Sequence, residues 1–155
     1  MDVRQPIHSD HVRTLDTEGL RRHFLVDRIF VPDELALTYS QIDRIIVGGA
    51  LPASRPVGFS PALAKSFAVS SFLERRELGA INVGGPGTVS VDGTVHEVGH
   101  REAIYVGMGA RDVSFHRPSA EDALLELERS DAGRLDPLDV ELLALKREGR
   151  FAAFL

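Results

Sequence analysis

A short stretch of alternating residues around one glycine turn constrains the fold of this chain more than any other feature. Residues 88–91 read Thr-Val-Ser-Val and residues 94–95 read Thr-Val, with Asp92-Gly93 between them. Alternation of apolar and polar residues is typical of a strand with one buried face, and Asp-Gly favours a two-residue hairpin turn. The segment therefore predicts a strand, a tight turn and a second strand.

The second predicted strand runs into His96-Glu97-Val98-Gly99-His100, which matches the H-E-x-x-H pattern of zinc metalloproteases. That chemistry requires a helix, because only a helical turn brings residues i and i+4 to one metal ion. On a strand that rises about 3.3 Å per residue, the two histidines would be roughly 13 Å apart. The two histidines then cannot bind the same zinc ion. We expect them instead to be two polar residues near the rim of a β-barrel.

The first 117 residues have a sequence pattern that is typical of short strands and turns. Strand-like runs occupy residues 24–49, 65–85 and 103–115, with predicted interruptions at Pro32-Asp33 and Gly48-Gly49. Residues 14–24 predict a short helix, and the proline-rich residues 51–62 predict a peripheral loop. This pattern indicates a mainly β domain over residues 1–117, an antiparallel barrel or sandwich.

The composition changes at Pro118. Residues 118–155 carry nine acidic and five basic side chains, and leucines recur at helical spacing in residues 124–127 and 140–145. We predict an acidic two-helix tail here, whose charges form a solvated face and whose leucines form a packing surface.

The overall composition narrows the function classes. The 155 residues include no cysteine and no apolar run long enough to span a membrane, and the net charge of the chain is -5. We therefore expect a cytoplasmic protein that binds neither a membrane nor nucleic acid, since nucleic-acid binding requires a basic patch.

Several glycines follow the framework of the cupin barrel. Glu77 and Gly84 keep the spacing that ends the first cupin motif, and Gly99 and Gly107 keep the spacing of the second. This resemblance implies a cupin-like antiparallel barrel.

The cupin metal ligands are replaced in this sequence. Ala110 stands where the second motif has a histidine, and Tyr105 where it has a proline. The H-x-H pair of the first motif would fall within Ser70-Ser71-Phe72-Leu73. The resemblance to cupins therefore implies that the side chains of the usual metal site are missing from this barrel.

Over residues 1–117 the sequence resembles the N-terminal half of the 5-keto-4-deoxyuronate isomerase family, the 4-deoxy-L-threo-5-hexosulose-uronate ketol-isomerases. The resemblance lies in runs such as SQIDRIIVGG (40–49), FLERRELGAIN (72–82) and GHREAIYVGMGARDVSF (99–115). It implies that the chain is the first half of a bicupin, commonly a homohexamer. The family converts 5-dehydro-4-deoxy-D-glucuronate to 3-deoxy-D-glycero-2,5-hexodiulosonate in pectin and uronate breakdown.

In the family, zinc is held in the second cupin by an H-x-H-E-R-R-x-E segment and a later histidine. Glu74-Arg75-Arg76 echo that segment, but Phe72 and Leu73 replace its histidine end. The resemblance thus implies zinc in the full-length family and no cofactor in this chain, which we expect to be inactive alone.

Three hypotheses follow. The chain is the structural, oligomer-forming half of an isomerase whose catalytic half is supplied elsewhere, or it is a metal-free cupin-like binding or oligomerisation module. The third and weakest is a new metal site assembled from scattered histidines, namely His8, His11, His96, His100 and His116.

Four residues are candidates for contact with a uronate substrate, and three of them are cations that could bind its carboxylate. Arg75, Arg76 and Arg101 are the candidates, because a planar guanidinium binds a carboxylate through two hydrogen bonds. Tyr105 is a fourth candidate. The competing interpretation is that the arginines form ion pairs with neighbouring acids, namely Glu74, Glu77 and Glu102.

Overall fold

The computed structural model of the chain describes residues 1–42, 44–118 and 151–154. Its strands are β1 (Asp2–Arg4), β2 (Leu35–Ser40), β3 (Ile45–Ala50), β4 (Val57–Gly58), β5 (Leu78–Asn82), β6 (Gly87–Val91), β7 (Thr94–Val98), β8 (Ala103–Val106), β9 (Val113–His116) and β10 (Phe151–Phe154). Its helices are α1 (Ser9–Val12), α2 (Thr17–Phe24) and α3 (Pro61–Ser66). The mainly β fold predicted from the sequence is confirmed.

The strands form two sheets. One has six strands in the order β1-β2-β3-β10-β5-β8, and the other has four in the order β4-β9-β6-β7. Neighbouring strands are antiparallel except β1 and β2, which run parallel. The edge strands of the larger sheet are β1 and β8, and β8 follows directly from the region of the H-E-x-x-H pattern.

The predicted hairpin is present. Strands β6 and β7 pair in register from Gly87 opposite Val98 to Val91 opposite Thr94. The two residues of the turn, Asp92 and Gly93, both have positive φ values, 48° and 84°. This is the backbone of the tight turn that matches the twist of a hairpin, and it explains the Asp-Gly dipeptide.

One core lies between the two sheets. Leu37, Ile46 and Leu78 enter it from the larger sheet, and Val89 and Phe115 enter it from the smaller. Leu78, Val89 and Phe115 alternate with more exposed neighbours along their strands, as the sequence pattern predicts. The sheets therefore pack face to face through the apolar residues of their inner sides.

Strand β10 was not predicted. It lies between β3 and β5 in the larger sheet, with Phe151 opposite both Ala50 and Asn82. Residues 151–154 of the predicted tail thus belong to the sheet, because a run of small and aromatic residues fills a central strand position. The two predicted helices fall on residues outside those that the structure describes.

Gly48 and Gly49 do not interrupt a strand, contrary to the prediction. They lie inside β3, and a Cβ atom on Gly49 would collide with the backbone oxygen of Ile29. The glycine permits the segment before Pro32 to cross closely over the sheet. The prediction of a turn at these two glycines is therefore wrong.

The helix predicted at residues 14–24 is confirmed as α2. Asp16 caps its first turn, since a carboxylate oxygen of Asp16 accepts a hydrogen bond from the backbone N–H of Gly19 at 2.7 Å. The three described helices contain four, eight and six residues. A helix that crosses a bilayer needs about 20.

Candidate functional site

The two segments that correspond to the cupin ligand positions are neighbours in space. The hydroxyl of Ser71 donates a hydrogen bond to the backbone oxygen of Ala110 at 3.3 Å, and the N–H of Gly109 donates one to the oxygen of Leu73 at 2.8 Å. The glycine spacing therefore located one region of the fold correctly, although these segments are far apart in the sequence.

Apolar side chains fill this region. Phe72 and Leu73 are 3% and 1% exposed, and the rings of Phe59 and Phe72 stack with their centroids 4.8 Å apart. The ring of Phe67 meets Phe72 edge-on at 5.4 Å. Zinc binds imidazole, thiolate and carboxylate groups, so these residues do not fit a zinc ion.

Glu74, the acid that follows this segment, forms hydrogen bonds and an ion pair with residues close to it in the sequence. Its carboxylate accepts hydrogen bonds from the N–H of Ser70 at 2.7 Å and from the Ser70 hydroxyl at 2.6 Å. These bonds, together with the charge of Arg75, lower the pKa of Glu74 from its ordinary value. The carboxylate therefore fixes the turn that leads into β5.

Arg75 and Arg76 have different environments. Nε of Arg75 lies 3.4 Å from a carboxylate oxygen of Glu74, in the ion pair that the competing interpretation predicted. The guanidinium carbon of Arg76 lies 4.1 Å from the centre of the Phe67 ring and 5.4 Å from that of Phe72. Arg76 thus covers the aromatic cluster through cation–π contacts.

Tyr105 lies on the outer face of β8 and is 68% exposed. Its pKa is raised above the ordinary 10.0, first because its hydroxyl forms a hydrogen bond with Glu77 and then through partial burial and the negative charge of Glu77. The strand register explains this contact, since Gly79 lies opposite Tyr105 and Glu77 is two residues away on the same face.

The structure brings three of the four candidate substrate contacts to one end of β5. Arg75 and Arg76 precede β5, and Tyr105 reaches Glu77 at the same end. Arg101 lies at the other end, where its N–H donates a hydrogen bond to the oxygen of Asn82 at 2.7 Å. The five residues of β5 separate these ends by about 13 Å.

The H-E-x-x-H histidines do not lie on a helix, as predicted. His96 is exposed in β7, and His100 follows the strand in a turn, where its Nδ1 lies 2.7 Å from the oxygen of Gly84. His116 pairs through Nε2 with the Ser114 hydroxyl at 2.9 Å. Within residues 1–42, 44–118 and 151–154, no three His, Asp or Glu side chains are grouped so that they could hold a metal ion.

Asn82 is a buried polar residue that the sequence pattern did not single out. Its amide nitrogen donates to the oxygens of Gly85 and Val98 at 2.7 Å each, and its side-chain oxygen accepts from the N–H of Gly84 at 3.0 Å. It therefore joins the end of β5 to the following turn and to β7. An alternating strand gives no signal that distinguishes such an asparagine from an exposed one.

No protein-family model matches this chain. It is 64% identical over 115 residues to the 4-deoxy-L-threo-5-hexosulose-uronate ketol-isomerase of Burkholderia cenocepacia. The aligned stretch covers 74% of this chain and 41% of the relative. The proteins of that name from Escherichia coli and Yersinia enterocolitica are each 59% identical, over 115 and 116 residues. This chain belongs with the N-terminal half of the ketol-isomerase family.

The match to the ketol-isomerases confirms the family resemblance seen in the sequence. It covers 74–75% of this chain, whereas the chain spans only 41–42% of the length of these relatives.

Proposed function

We propose that this chain is the structural N-terminal half of a 4-deoxy-L-threo-5-hexosulose-uronate ketol-isomerase, and that turnover requires a zinc-binding half supplied separately. The observation that carries the proposal is the apolar filling of the cupin ligand positions by Phe72 and Leu73, in a chain that is up to 64% identical to the isomerases. On this proposal the protein acts in the cytoplasm on a small uronate, without nucleic acid.

The chemistry explains why a second half is needed. A ketol isomerisation moves a proton between adjacent carbons, and it needs a Lewis acid or hydrogen-bond donor at the carbonyl oxygen. In the family, zinc would supply that Lewis acid. The described part of this chain offers Ser71, Phe72, Leu73 and Ala110 at the corresponding place, so its contribution is the scaffold.

Complementation tests the proposal. The full chain is assayed on 5-dehydro-4-deoxy-D-glucuronate alone, and then mixed with zinc and the separately expressed C-terminal part of the Burkholderia cenocepacia relative. We expect turnover only in the mixture. The matched control replaces this chain with the relative's own N-terminal part.

Two results would contradict the proposal. One is turnover by this chain alone with one bound zinc per chain in elemental analysis. The other is an inactive mixture under conditions in which the control pair is active. A reading of the DNA downstream of residue 155 for an H-x-H-E-R-R segment would identify the source of the second half.

A second candidate function is a metal-free oligomerisation module, and the outer side of the larger sheet favours it. Ile81 of β5 and Tyr105 of the edge strand β8 lie on the same outward face of the sheet. Ile81, Val83 and Met108 are 39%, 45% and 61% exposed. An edge strand flanked by exposed apolar side chains is suited to pairing with another chain.

Sedimentation analysis tests this candidate. We expect a homo-oligomer that Ile81→Glu dissociates, because the substitution places a charge in the paired face. Val95→Glu is the matched control, since Val95 is 64% exposed on β7 of the other sheet. A monomeric wild-type chain would rule this candidate out.

A further inference from the structure

A polar cleft of about 400 Å³ lies between the loop after β3 and the end of β9. Ser54 and Arg55 line it from the loop, His116 and Arg117 line it from the end of β9, and three prolines complete its walls. This volume is in the range of small-molecule sites. The sequence pattern predicts this proline-rich segment only as a peripheral loop.

The carboxylate of Asp33 fixes the loop that forms one wall. It accepts hydrogen bonds from the N–H groups of Ala53 at 2.9 Å, Ser54 at 2.8 Å and Arg55 at 3.2 Å, and from the Ser54 hydroxyl at 2.5 Å. Asp33 itself has a φ of 58°, a conformation that aspartate tolerates better than most residues. The wall is therefore held by four donors before any ligand arrives.

The two arginines are held in place by backbone oxygens. Nη1 of Arg117 donates to the oxygen of Ala53 at 2.9 Å, and Nη2 of Arg55 donates to the oxygen of Asp33 at 3.0 Å. A guanidinium has five N–H donors, so each arginine keeps others for a ligand. Within the described residues, neither arginine forms a salt bridge with a carboxylate.

This arrangement concentrates positive charge in a chain whose net charge is -5. Asp33, whose backbone oxygen Arg55 contacts, has its carboxylate already bonded to four donors of the loop, and the side chains that line the cleft are neutral, histidine or arginine. We propose that the cleft binds a small anion of monosaccharide size through a carboxylate or phosphate group. Arg55 and Arg117 would hold the anionic group, since planar guanidinium groups match its oxygens.

The proposal involves none of the residues considered above for the isomerase substrate, and it does not depend on the proposed function. Binding to the full chain is measured by calorimetry with D-galacturonate, inorganic phosphate and D-galactose. D-galactose has the same ring as D-galacturonate but no charge. A stronger signal from D-galacturonate than from phosphate would assign the group as a carboxylate, and the reverse would assign a phosphate.

The variants are Arg55→Gln and Arg117→Gln, with Arg28→Gln as the control that removes the same charge from an exposed residue outside the cleft. We expect each cleft variant to weaken anion binding about tenfold, as the loss of one hydrogen bond to a charged group predicts. The control should bind within about twofold of the wild type. Circular dichroism of each variant shows whether the fold is kept, and Arg117→Lys, which keeps the charge, should retain part of the affinity.

Three outcomes would overturn the proposal. Neither anion binds saturably to the wild-type chain, or D-galactose binds as tightly as the anions. Equal affinity of the wild type and of a folded cleft variant would overturn it as well.

Discussion

The ring of Phe151 lies 5.0 Å from the ring of Phe115, centroid to centroid, at an angle of 39°. Phe151 comes from the larger sheet and Phe115 from the smaller, and both are fully buried. The contact joins the two sheets through a residue close to the end of the chain. A segment that the sequence assigned to a tail is thus part of the core.

Phe151→Ala should lower the free energy of unfolding by about 3 to 5 kcal/mol, because it removes a buried aromatic ring and leaves a cavity between the sheets. Phe24→Ala is the control, since Phe24 is 47% exposed, and we expect a change of at most about 0.5 kcal/mol. Urea unfolding measures both. A similar stability for the two variants would show that β10 is not part of the cooperative core.

Asn82→Leu should destabilise the fold by roughly 3 kcal/mol, because two buried carbonyl oxygens and one N–H would lose their partner. The substitution keeps a similar volume, so the effect reports hydrogen bonding more than packing. Gln41→Leu, at an exposed position, is the control. A stability of Asn82→Leu equal to that of the control would refute the role of the network.

Arg76→Gln should cost about 0.5 to 1 kcal/mol, the range of a partly exposed cation–π contact with Phe67 and Phe72. Arg76→Lys keeps the cation and should lose less. The comparison is made by denaturant unfolding at low and high salt. A loss of the same size for lysine and glutamine would mean that packing of the side chain, not its charge, is responsible.

Acid should weaken the loop that Asp33 holds. Hydrogen bonds from the Ser54 hydroxyl and N–H, then from Ala53 and Arg55, keep the pKa of Asp33 well below its ordinary 3.8. A group whose pKa is lowered in the folded state adds stability above its unfolded pKa and loses it as the pH falls toward the folded pKa. The stability of the wild type should therefore decline below about pH 4.

Asp33→Asn tests that expectation, since it should lower stability at neutral pH and make the decline in acid shallower. Asp27→Asn, at an exposed position between α2 and β2, should leave the pH profile of the wild type unchanged. Thermal unfolding across acidic pH values measures both variants. A wild-type slope in Asp33→Asn would contradict the role of the carboxylate.

Tyr105 should ionise at a higher pH than an ordinary tyrosine, because its hydroxyl is bonded to Glu77. In a Tyr39→Phe background, which leaves Tyr105 as the tyrosine observed, Glu77→Gln should move its titration toward 10.0. Since the pKa is raised in the folded state, the contact stabilises the fold below the unfolded pKa and is lost as pH rises. Absorbance of the tyrosinate follows the titration, and an unchanged midpoint in Glu77→Gln would be the contrary result.

Parts of the candidate site were predictable because they depend on local pattern. The glycine spacing placed Ser70–Leu73 and Ala110 in one region, and the hydrogen bond from Ser71 to Ala110 confirms it. The ion pair of Arg75 with Glu74 joins adjacent residues and was anticipated. The contact of Arg76 with Phe67 was not, because it depends on how the turn before β5 packs.

The sequence alone determined the mainly β character of residues 1–117, the hairpin at Asp92-Gly93 and helix α2, because alternation, turn chemistry and capping act over a few residues. It also determined the family, through identity that extends over 115 residues. Only the tertiary structure decided that residues 151–154 enter the centre of a sheet, that Asn82 is buried, and that Arg55 and Arg117 face one cleft. These features depend on contacts between distant segments, whose geometry is set when the two sheets close on one core.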